Sequence, residues 1–238
     1  KKFKEMVGKT SFAASIDESK GVLVGVLTEI EKDSVQMVAL DGFRLAVAKE
    51  RMESEKENRF IISAKIINEI SKIISEDEDT EYIEISLGSK KAVFKIGNTE
   101  VILRLMEGEY IKYRDIIPDD GTTEVRIGKA ILLESIERAS LLAKEGKNNL
   151  IKMIIKNNLM TITSRSEEGN VKEEIVMEKT GEDLDIGFNS KFVMDVLKVI
   201  DDEEISMNFK TGTSPCVVRP VEGDAYEYLI LPVRIPSM

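Results

Sequence analysis

The sequence predicts an α+β fold with two tandem domains, each carrying two helices on one face of an antiparallel sheet. Three observations support this prediction. The chain has 238 residues, which is enough for two domains of ordinary size. One pattern of helices and strands occurs twice along the chain. Between the two copies lies Pro118, followed by the turn-forming residues 119–123. We therefore expect one domain at residues 1–118 and another at residues 119–238.

Each half begins with an amphipathic helix and continues with strands. Apolar residues recur at helical spacing in residues 3–15 and again in residues 131–144. Strand pairs are expected after each helix, because alternating apolar residues flank short polar turns at 31–33 and 157–158. The expected strands are residues 22–29, 34–39 and 45–49 in the first half, and 150–155, 159–164 and 172–178 in the second.

A strand that leads into a second amphipathic helix is the clearest repeated feature. Residues 60–74 and 186–200 share a short strand, a Ser or Asn helix cap and an apolar helix face. Lys65 and Lys72 align with Lys191 and Lys198, and each pair, seven residues apart, lies on one helix face. Acidic turns follow at 76–81 and 201–204, and further strands are expected at 82–87, 92–96, 205–209 and 216–219.

Composition argues against an enzyme and against a general nucleic-acid binder. The chain has no His, the commonest general base, so no catalytic residue, cofactor or metal is predicted. The single Cys216 falls in a predicted strand, where a buried, inert thiol is expected, and one Cys is typical of the reducing cytoplasm. A net charge of −10 restricts any DNA contact to a local basic face. No apolar run is long enough to predict a membrane span.

Three short strings, in order along the chain, carry a resemblance to a known family. They are Ala39-Leu-Asp-Gly-Phe-Arg-Leu-Ala46, Gly108-Glu-Tyr-Ile-Lys-Tyr-Arg-Asp-Ile-Ile-Pro118 and Tyr228-Leu-Ile-Leu-Pro-Val-Arg-Ile235. Together they resemble the second and third domains of the bacterial DNA polymerase III β subunit, the sliding-clamp family. The chain departs from the family pattern at Leu40, Phe43 and Ile111, and residues 236–238 extend past the usual end.

The resemblance implies two tandem DNA-clamp domains from a three-domain protomer, and the domain that precedes them in the family is expected to be missing here. In the family, two protomers close head to tail into a homodimer ring around double-stranded DNA. Such a ring is a processivity factor for replication. It tethers the polymerase and serves as a docking platform for the clamp loader and repair proteins, without catalysis of its own.

The resemblance also implies a groove that binds short linear peptides between the two domains. Aliphatic side chains would form its walls, Gly42 would let a backbone approach closely, and Arg44 would supply directional donors. The alternative is that its leucines are ordinary core residues, as apolar residues in strands usually are. The matching positions are Leu23, Leu40, Gly42, Phe43, Arg44, Leu45, Ile111, Ile116, Asn189, Phe192, Thr213, Pro215, Leu229, Ile230, Leu231, Pro232, Val233 and Arg234.

Two further surfaces are expected. A basic helix face would meet DNA phosphates without reading bases, although such lysines are more often part of a solvated face balanced by acids. Leu141 and Leu142, at the end of a helix, would join the dimer interface, with residues 172–177 as an edge strand. The basic residues are Lys9, Lys65, Lys72, Arg138, Lys191 and Lys198.

Two other function classes stay open. A β-rich adaptor would bind peptides without touching DNA, and only a ring that is retained on circular DNA would distinguish the clamp from it. A hydrolase would use a carboxylate pair, Asp119-Asp120 or Asp201-Asp202, although adjacent residues in turns rarely converge on one site. Metal-dependent turnover that is lost on replacing Asp119 or Asp201 would support the hydrolase.

Overall fold

A computed structural model of the chain describes residues 1–74, 82–144 and 147–235. The chain divides into two compact units, Lys1–Lys112 and Tyr113–Met238. The division falls a few residues before the break expected at Pro118, because a short 3-10 helix, Tyr113–Ile116, belongs to the second unit. No helix in these ranges has the length and apolarity to cross a membrane.

The described part of the first unit contains two α-helices and two antiparallel sheets. One sheet has the strand order β3-β2-β1-β4 and the other β5-β6-β7. Helix α1 packs on β2 and β3, α2 packs on β1 and β4, and the helices touch each other, so both lie on one face of the sheet. The elements are α1 (Lys2–Thr10), β1 (Gly25–Ile30), β2 (Ser34–Leu40), β3 (Arg44–Arg51), β4 (Asn58–Ser63), α2 (Ala64–Ile73), β5 (Glu84–Leu87), β6 (Lys91–Ile96) and β7 (Thr99–Arg104).

The second unit repeats this plan. One sheet has the order β11-β10-β9-β13, and the other contains β12-β8-β14-β15-β16. Helix α3 packs on β9, β10 and β11, and α4 packs on β13 and on α3. The elements are β8 (Thr123–Gly128), α3 (Lys129–Ala143), β9 (Leu150–Lys156), β10 (Leu159–Ser166), β11 (Gly169–Val176), β12 (Glu178–Gly181), β13 (Leu184–Asn189), α4 (Ser190–Leu197), β14 (Glu204–Phe209), β15 (Cys216–Pro220) and β16 (Tyr226–Ile230).

The predicted duplication is confirmed by the strand pairing. In the first unit β1 pairs with β2 and β4, and in the second β9 pairs with β10 and β13. The hairpin β2-β3 corresponds to β10-β11, and β6 lies between β5 and β7 as β15 lies between β14 and β16. Strand β12 has no counterpart among the described residues of the first unit, where residues 52–57 contain no strand. The α+β fold with both helices on one face is therefore confirmed.

Alternating burial explains why β9 and β10 form strands. In β9 the buried residues are Ile151, Met153 and Ile155, and the residues between them are partly exposed. The same alternation in β10 buries Met160 and Ile162. The second unit therefore has an apolar core between its helices and this sheet.

Several expected boundaries are wrong. The first strand was expected from residue 22, but Glu18–Val24 is a 3-10 helix kinked at Gly21 (φ 59°), so Leu23 does not lie in a strand. The first helix ends at Thr10, where the Thr10 hydroxyl bonds back to the Met6 carbonyl (2.7 Å), rather than at residue 15. The sequence patterns gave no bounds for strand β7. The acidic turn at 76–81 and residues 236–238 lie outside the described ranges.

Candidate functional site

The turn between β2 and β3 presents Phe43 to solvent. Gly42 has a φ of 93°, a conformation that favours glycine. The Asp41 carboxylate accepts hydrogen bonds from the amides of Phe43 (2.8 Å) and Arg44 (3.0 Å), which closes the turn. The Phe43 side chain is 59% exposed at the tip. The turn is therefore rigid, although its main side chain is open to solvent.

Arg44 is held inside the first unit. Its guanidinium donates from Nε to Asp41 Oδ2 (3.2 Å) and from Nη2 to the Phe12 carbonyl (3.1 Å), and it lies 5.4 Å from the centre of the Phe12 ring. Only 8% of the side chain is exposed. Arg44 thus positions the turn, and two of its donors are engaged within the unit.

The remaining groove positions of the first unit differ in exposure. Leu40 and Leu45 face each other across the β2-β3 hairpin and are buried, as the core alternative predicts. Leu23 is half-buried, whereas Ile111 is exposed. The neighbouring Tyr110 is buried and its hydroxyl donates to the carbonyls of Gly25 and Val38, both at 3.3 Å. Phe43 and Ile111 are the exposed apolar members of this set among the described residues.

In the second unit the C-terminal segment lies along β13. The Val233 amide donates to the Gly187 carbonyl (2.8 Å). A Cβ at position 187 would come within 2.7 Å of the Val233 carbonyl, so the close approach requires glycine. Asn189, at the end of β13, caps α4 by accepting from the Lys191 amide (3.0 Å). Asn189 and Val233 are therefore brought to the same end of the second unit's sheet.

The 211–215 turn approaches the same strand. Gly212 packs against the Asp185 carbonyl, where a side chain would not fit. Within the turn the Thr211 hydroxyl lies 2.7 Å from the Ser214 hydroxyl and 3.3 Å from that of Thr213. Pro215 lines a small cleft together with Pro118, Asp119 and Phe209. The turn is thus fixed next to β13, and it includes two predicted groove residues.

The other groove positions of the second unit range from core to surface. Leu229 and Ile230 are buried in β16, which again agrees with the core alternative. Half-buried positions are Phe192, Leu231, Pro232 and Val233, and exposed positions are Ile116, Thr213 and Arg234. The half-buried and exposed residues are those able to contact a ligand.

The six predicted DNA-facing residues all lie on helices or directly after one, and most of them pair with a carboxylate. Lys65 is exposed on α2. Lys9 is half-buried at the end of α1 and has an interaction partner within the chain. The other pairs are Lys72 with Glu69 (2.7 Å), Arg138 with Glu173 (2.8 Å), Lys198 with Glu137 (3.2 Å) and Lys191 with Asp195 (3.9 Å). The Arg138 guanidinium holds the pKa of Glu173 below its ordinary value. The expected acidic balance of this face is thus present.

The two leucines predicted at a dimer interface have different environments. Leu141 is 65% exposed at the end of α3, whereas Leu142 is half-buried. Strand β11 is the last strand of its sheet within the described residues, and Val176 at its end is exposed. Leu141 is therefore free to make a contact outside its own unit.

The acidic pairs and the cysteine have structural roles. Asp120 forms an ion pair with Lys210, and the Tyr226 hydroxyl donates to Asp202 (2.6 Å). Cys216 is buried as expected, and burial raises the pKa of its thiol. The described parts of the chain contain no cluster of acidic or thiol groups able to hold a metal ion.

Sequence reasoning missed three residues that shape the site: Phe12, Asp41 and Tyr110. Asp41 precedes Gly42, and an Asp-Gly step is a recognised turn signal, so its capping role was accessible from the sequence. Phe12 and Tyr110 act through contacts with residues 32 and 72 or more positions away. No local pattern identifies such contacts.

Comparison with known proteins covers both units. Residues 1–112 match the family model described as "DNA polymerase III beta subunit, central domain", and residues 114–234 match that of the C-terminal domain. Beta sliding clamps of Staphylococcus epidermidis and Staphylococcus aureus are 39% and 38% identical to the chain. Each alignment covers 98% of this chain and 62% of the relative, so the chain spans less than two thirds of these relatives.

Solved structures agree with this assignment. The sliding clamp of Bacillus subtilis has a TM-score of 0.94 at 33% identity, over 98% of this chain and 62% of that chain. A sliding clamp of Pseudomonas aeruginosa, solved bound to griselimycin, has a TM-score of 0.92 at 27% identity, over 98% and 63% respectively.

Proposed function

The chain belongs to the DNA polymerase III β-subunit family, and from this premise we propose that it forms two domains of a DNA sliding clamp. The observation that carries the proposal is the match of consecutive units to consecutive family domains, on a duplicated topology with each unit's helices on one face. The clamp is proposed to act in the cytoplasm as a non-catalytic processivity factor that needs no cofactor.

The proposed DNA contact is weak and independent of base sequence. Its carriers are the six basic side chains of the helices, Lys9, Lys65, Lys72, Arg138, Lys191 and Lys198. Long basic side chains on helices meet phosphates and release counterions, but they do not read base edges unless they enter a groove. The exposure of Lys65 and Lys72 on one face of α2 supports this role.

The proposed partner surface binds short linear peptides of the polymerase, the clamp loader and repair proteins. In the first unit it is the rigid β2-β3 turn with the exposed Phe43, and in the second it is the segment 231–234 beside β13. A fixed backbone with a few exposed apolar side chains suits an extended peptide, because little ordering entropy is lost on binding. The griselimycin complex of the Pseudomonas clamp supports the presence of a ligand site in this family.

A version extended to the length of the relatives provides the decisive test. A closed homodimer ring is expected to stay on circular double-stranded DNA through a high-salt wash and to be lost once the DNA is linearised. Retention that does not depend on DNA topology would contradict the clamp.

The second candidate, a peptide-binding adaptor that does not contact DNA, is favoured by the net charge of −10 and by the carboxylates beside the basic residues. The adaptor predicts no retention on circular DNA although peptide binding persists. The same experiment therefore separates the two functions.

The groove is tested with griselimycin as the probe and Phe43→Ala as the variant. Loss of this exposed ring is expected to weaken binding by about fivefold or more, as for an interface residue that contributes over about 1 kcal/mol. Tyr82→Ala is the matched control, since Tyr82 is an exposed aromatic residue outside the groove set. Equal affinities of the wild type and Phe43→Ala, measured by calorimetry, would remove Phe43 from the site.

A further inference from the structure

Three of the proposed DNA-facing residues lie in the second unit, Arg138, Lys191 and Lys198, and each has a carboxylate within ion-pair distance. Lys198 Nζ lies 3.2 Å from Glu137, and Arg138 Nη2 lies 2.8 Å from Glu173. Lys191 lies 3.9 Å from Asp195. A surface that only attracted DNA would leave these cations open, so the acids need an explanation.

Two of these pairs are imposed by the fold. Glu137 lies on α3, whereas Lys198 follows α4, and Arg138 on α3 reaches Glu173 on β11. They therefore depend on the packing of α3 on α4 and β11. The Lys191–Asp195 pair, by contrast, is local to one helix, with the lysine N-terminal to the acid, which is the weaker orientation.

The pairs are exposed enough to exchange partners. About half of the Lys198, Glu137 and Arg138 side chains is accessible to solvent (53%, 47% and 51%), whereas only 22% of the Glu173 side chain is. Ion pairs in such positions are weak and are screened by salt. A phosphate can therefore displace the carboxylate, but the displaced carboxylate stays nearby and repels the phosphate. Each contact with DNA is thus weaker than that of an unpaired cation.

We propose that Glu137 and Glu173 are built-in competitors of DNA phosphates, which keep the contacts of Lys198 and Arg138 with a duplex backbone weak and exchangeable. This inference rests on the proposed function and deepens it. It assigns to Glu137 on α3 and Glu173 on β11 the weak, exchangeable DNA contact that movement along DNA requires.

Glu137→Gln tests the inference, because it removes the charge and keeps the side-chain length. Duplex affinity of the 238-residue chain is measured by fluorescence anisotropy at low ionic strength, where charges act over about 30 Å. Glu137→Gln is expected to raise affinity by about 1.5- to 5-fold. The slope of log affinity against log salt is expected to steepen by up to about 0.9, the value for one more phosphate contact.

A double-mutant cycle separates local release from a general change of charge. In a Lys198→Gln background, Glu137→Gln is expected to change affinity little, since the cation it would release is gone. Glu173→Gln and Glu174→Gln form a matched pair on β11. Successive strand residues point to opposite faces, and Glu174 pairs with Lys172 instead of Arg138. Of these two variants, only Glu173→Gln is expected to strengthen duplex binding.

Each outcome decides between the claims. Unchanged affinity and salt slope for Glu137→Gln and Glu173→Gln, beside salt-dependent binding by the wild type, would overturn the competitor role and leave the clamp intact. If Glu174→Gln raised duplex affinity by the same factor, the effect would come from net charge alone, and the competitor role would be overturned as well. If neither wild type nor variants bind duplex in a salt-dependent way, the DNA surface fails, and the inference fails with it.

Discussion

Single side chains fix the candidate site of the first unit, and Arg44 is the clearest case. It is buried at the start of β3, where it joins the turn at Asp41 to the carbonyl of Phe12. Removing one member of a buried charged pair leaves the other without a partner, and this costs more than the pair itself contributes. The stability of the turn thus depends on a residue that presents little surface to a ligand.

Arg44→Ala is therefore expected to lower the free energy of unfolding by about 3 kcal/mol. Urea denaturation followed by circular dichroism measures the change. Arg51→Ala, at the exposed end of the same strand, is the control and is expected to cost less than about 0.5 kcal/mol. Similar losses for the two variants would show that Arg44 does not hold the turn.

Asp183 gives a pH-dependent contribution to the stability of the second unit. Its carboxylate accepts from Lys179 Nζ (2.7 Å) and from the Asn157 amide (3.2 Å), and the hydrogen bond from Lys179, followed by that from Asn157, lowers the pKa of Asp183. Only 8% of the Lys179 side chain is exposed, so the Asp183 carboxylate is the main group that stabilises its buried positive charge. Because the pKa of Asp183 is lower in the folded protein than in the unfolded chain, its stabilisation is complete above the pKa of the unfolded chain. The stabilisation is lost as the pH falls through the pKa of the folded protein.

The stability difference between wild type and Asp183→Asn is accordingly expected to be constant near neutral pH and to shrink below about pH 4, the unfolded pKa of Asp. Chemical denaturation at a series of pH values gives this difference directly. A difference that persists unchanged at about pH 2 would mean that another interaction accounts for it.

At the scale of elements, local patterns predicted the helices and hairpins, and long-range contacts decided the rest. Apolar spacing predicts helices α2 and α4, and a polar turn predicts the β9-β10 hairpin. Each of these elements can be recognised from a few neighbouring residues. The 3-10 helix at Glu18–Val24 could not be recognised in this way, because the apolar residues that follow its kink at Gly21 resemble the start of a strand. For the same reason, alternation in the sequence cannot distinguish the buried Leu40 and Leu229 from the exposed Phe43.

Gly8 and Gly42 both have open space around them, so substitutions at these positions test the effect of backbone conformation apart from packing. A Cβ would meet nothing within 4 Å at Gly8 in α1 or at Gly42, but only Gly42 has a positive φ, 93°. Gly8→Ala is therefore expected to raise the free energy of unfolding by about 0.5–1 kcal/mol. Gly42→Ala is expected to lower it by about 1 kcal/mol or more. Thermal unfolding of both variants is the measurement, and shifts of the same sign would contradict the explanation.

At the scale of the whole chain, one topology is used twice with different surfaces. The second unit adds β12 after its third hairpin strand and carries the exposed Leu141 at the end of α3. The first unit carries the rigid turn with Phe43. Duplication of the fold therefore does not duplicate the side chains that are exposed at its turns and helix ends.

Leu141→Ala is the matching prediction for assembly. Because 65% of Leu141 is exposed, its truncation is expected to leave the stability of the unit nearly unchanged. In a version extended to the length of the relatives, it is expected to raise the dimer dissociation constant by about tenfold, equivalent to about 1.4 kcal/mol. Ile131→Ala, 48% exposed at the other end of α3, is the control. Sedimentation velocity over a dilution series measures both, and dissociation at the same concentration for wild type and Leu141→Ala would exclude Leu141 from the interface.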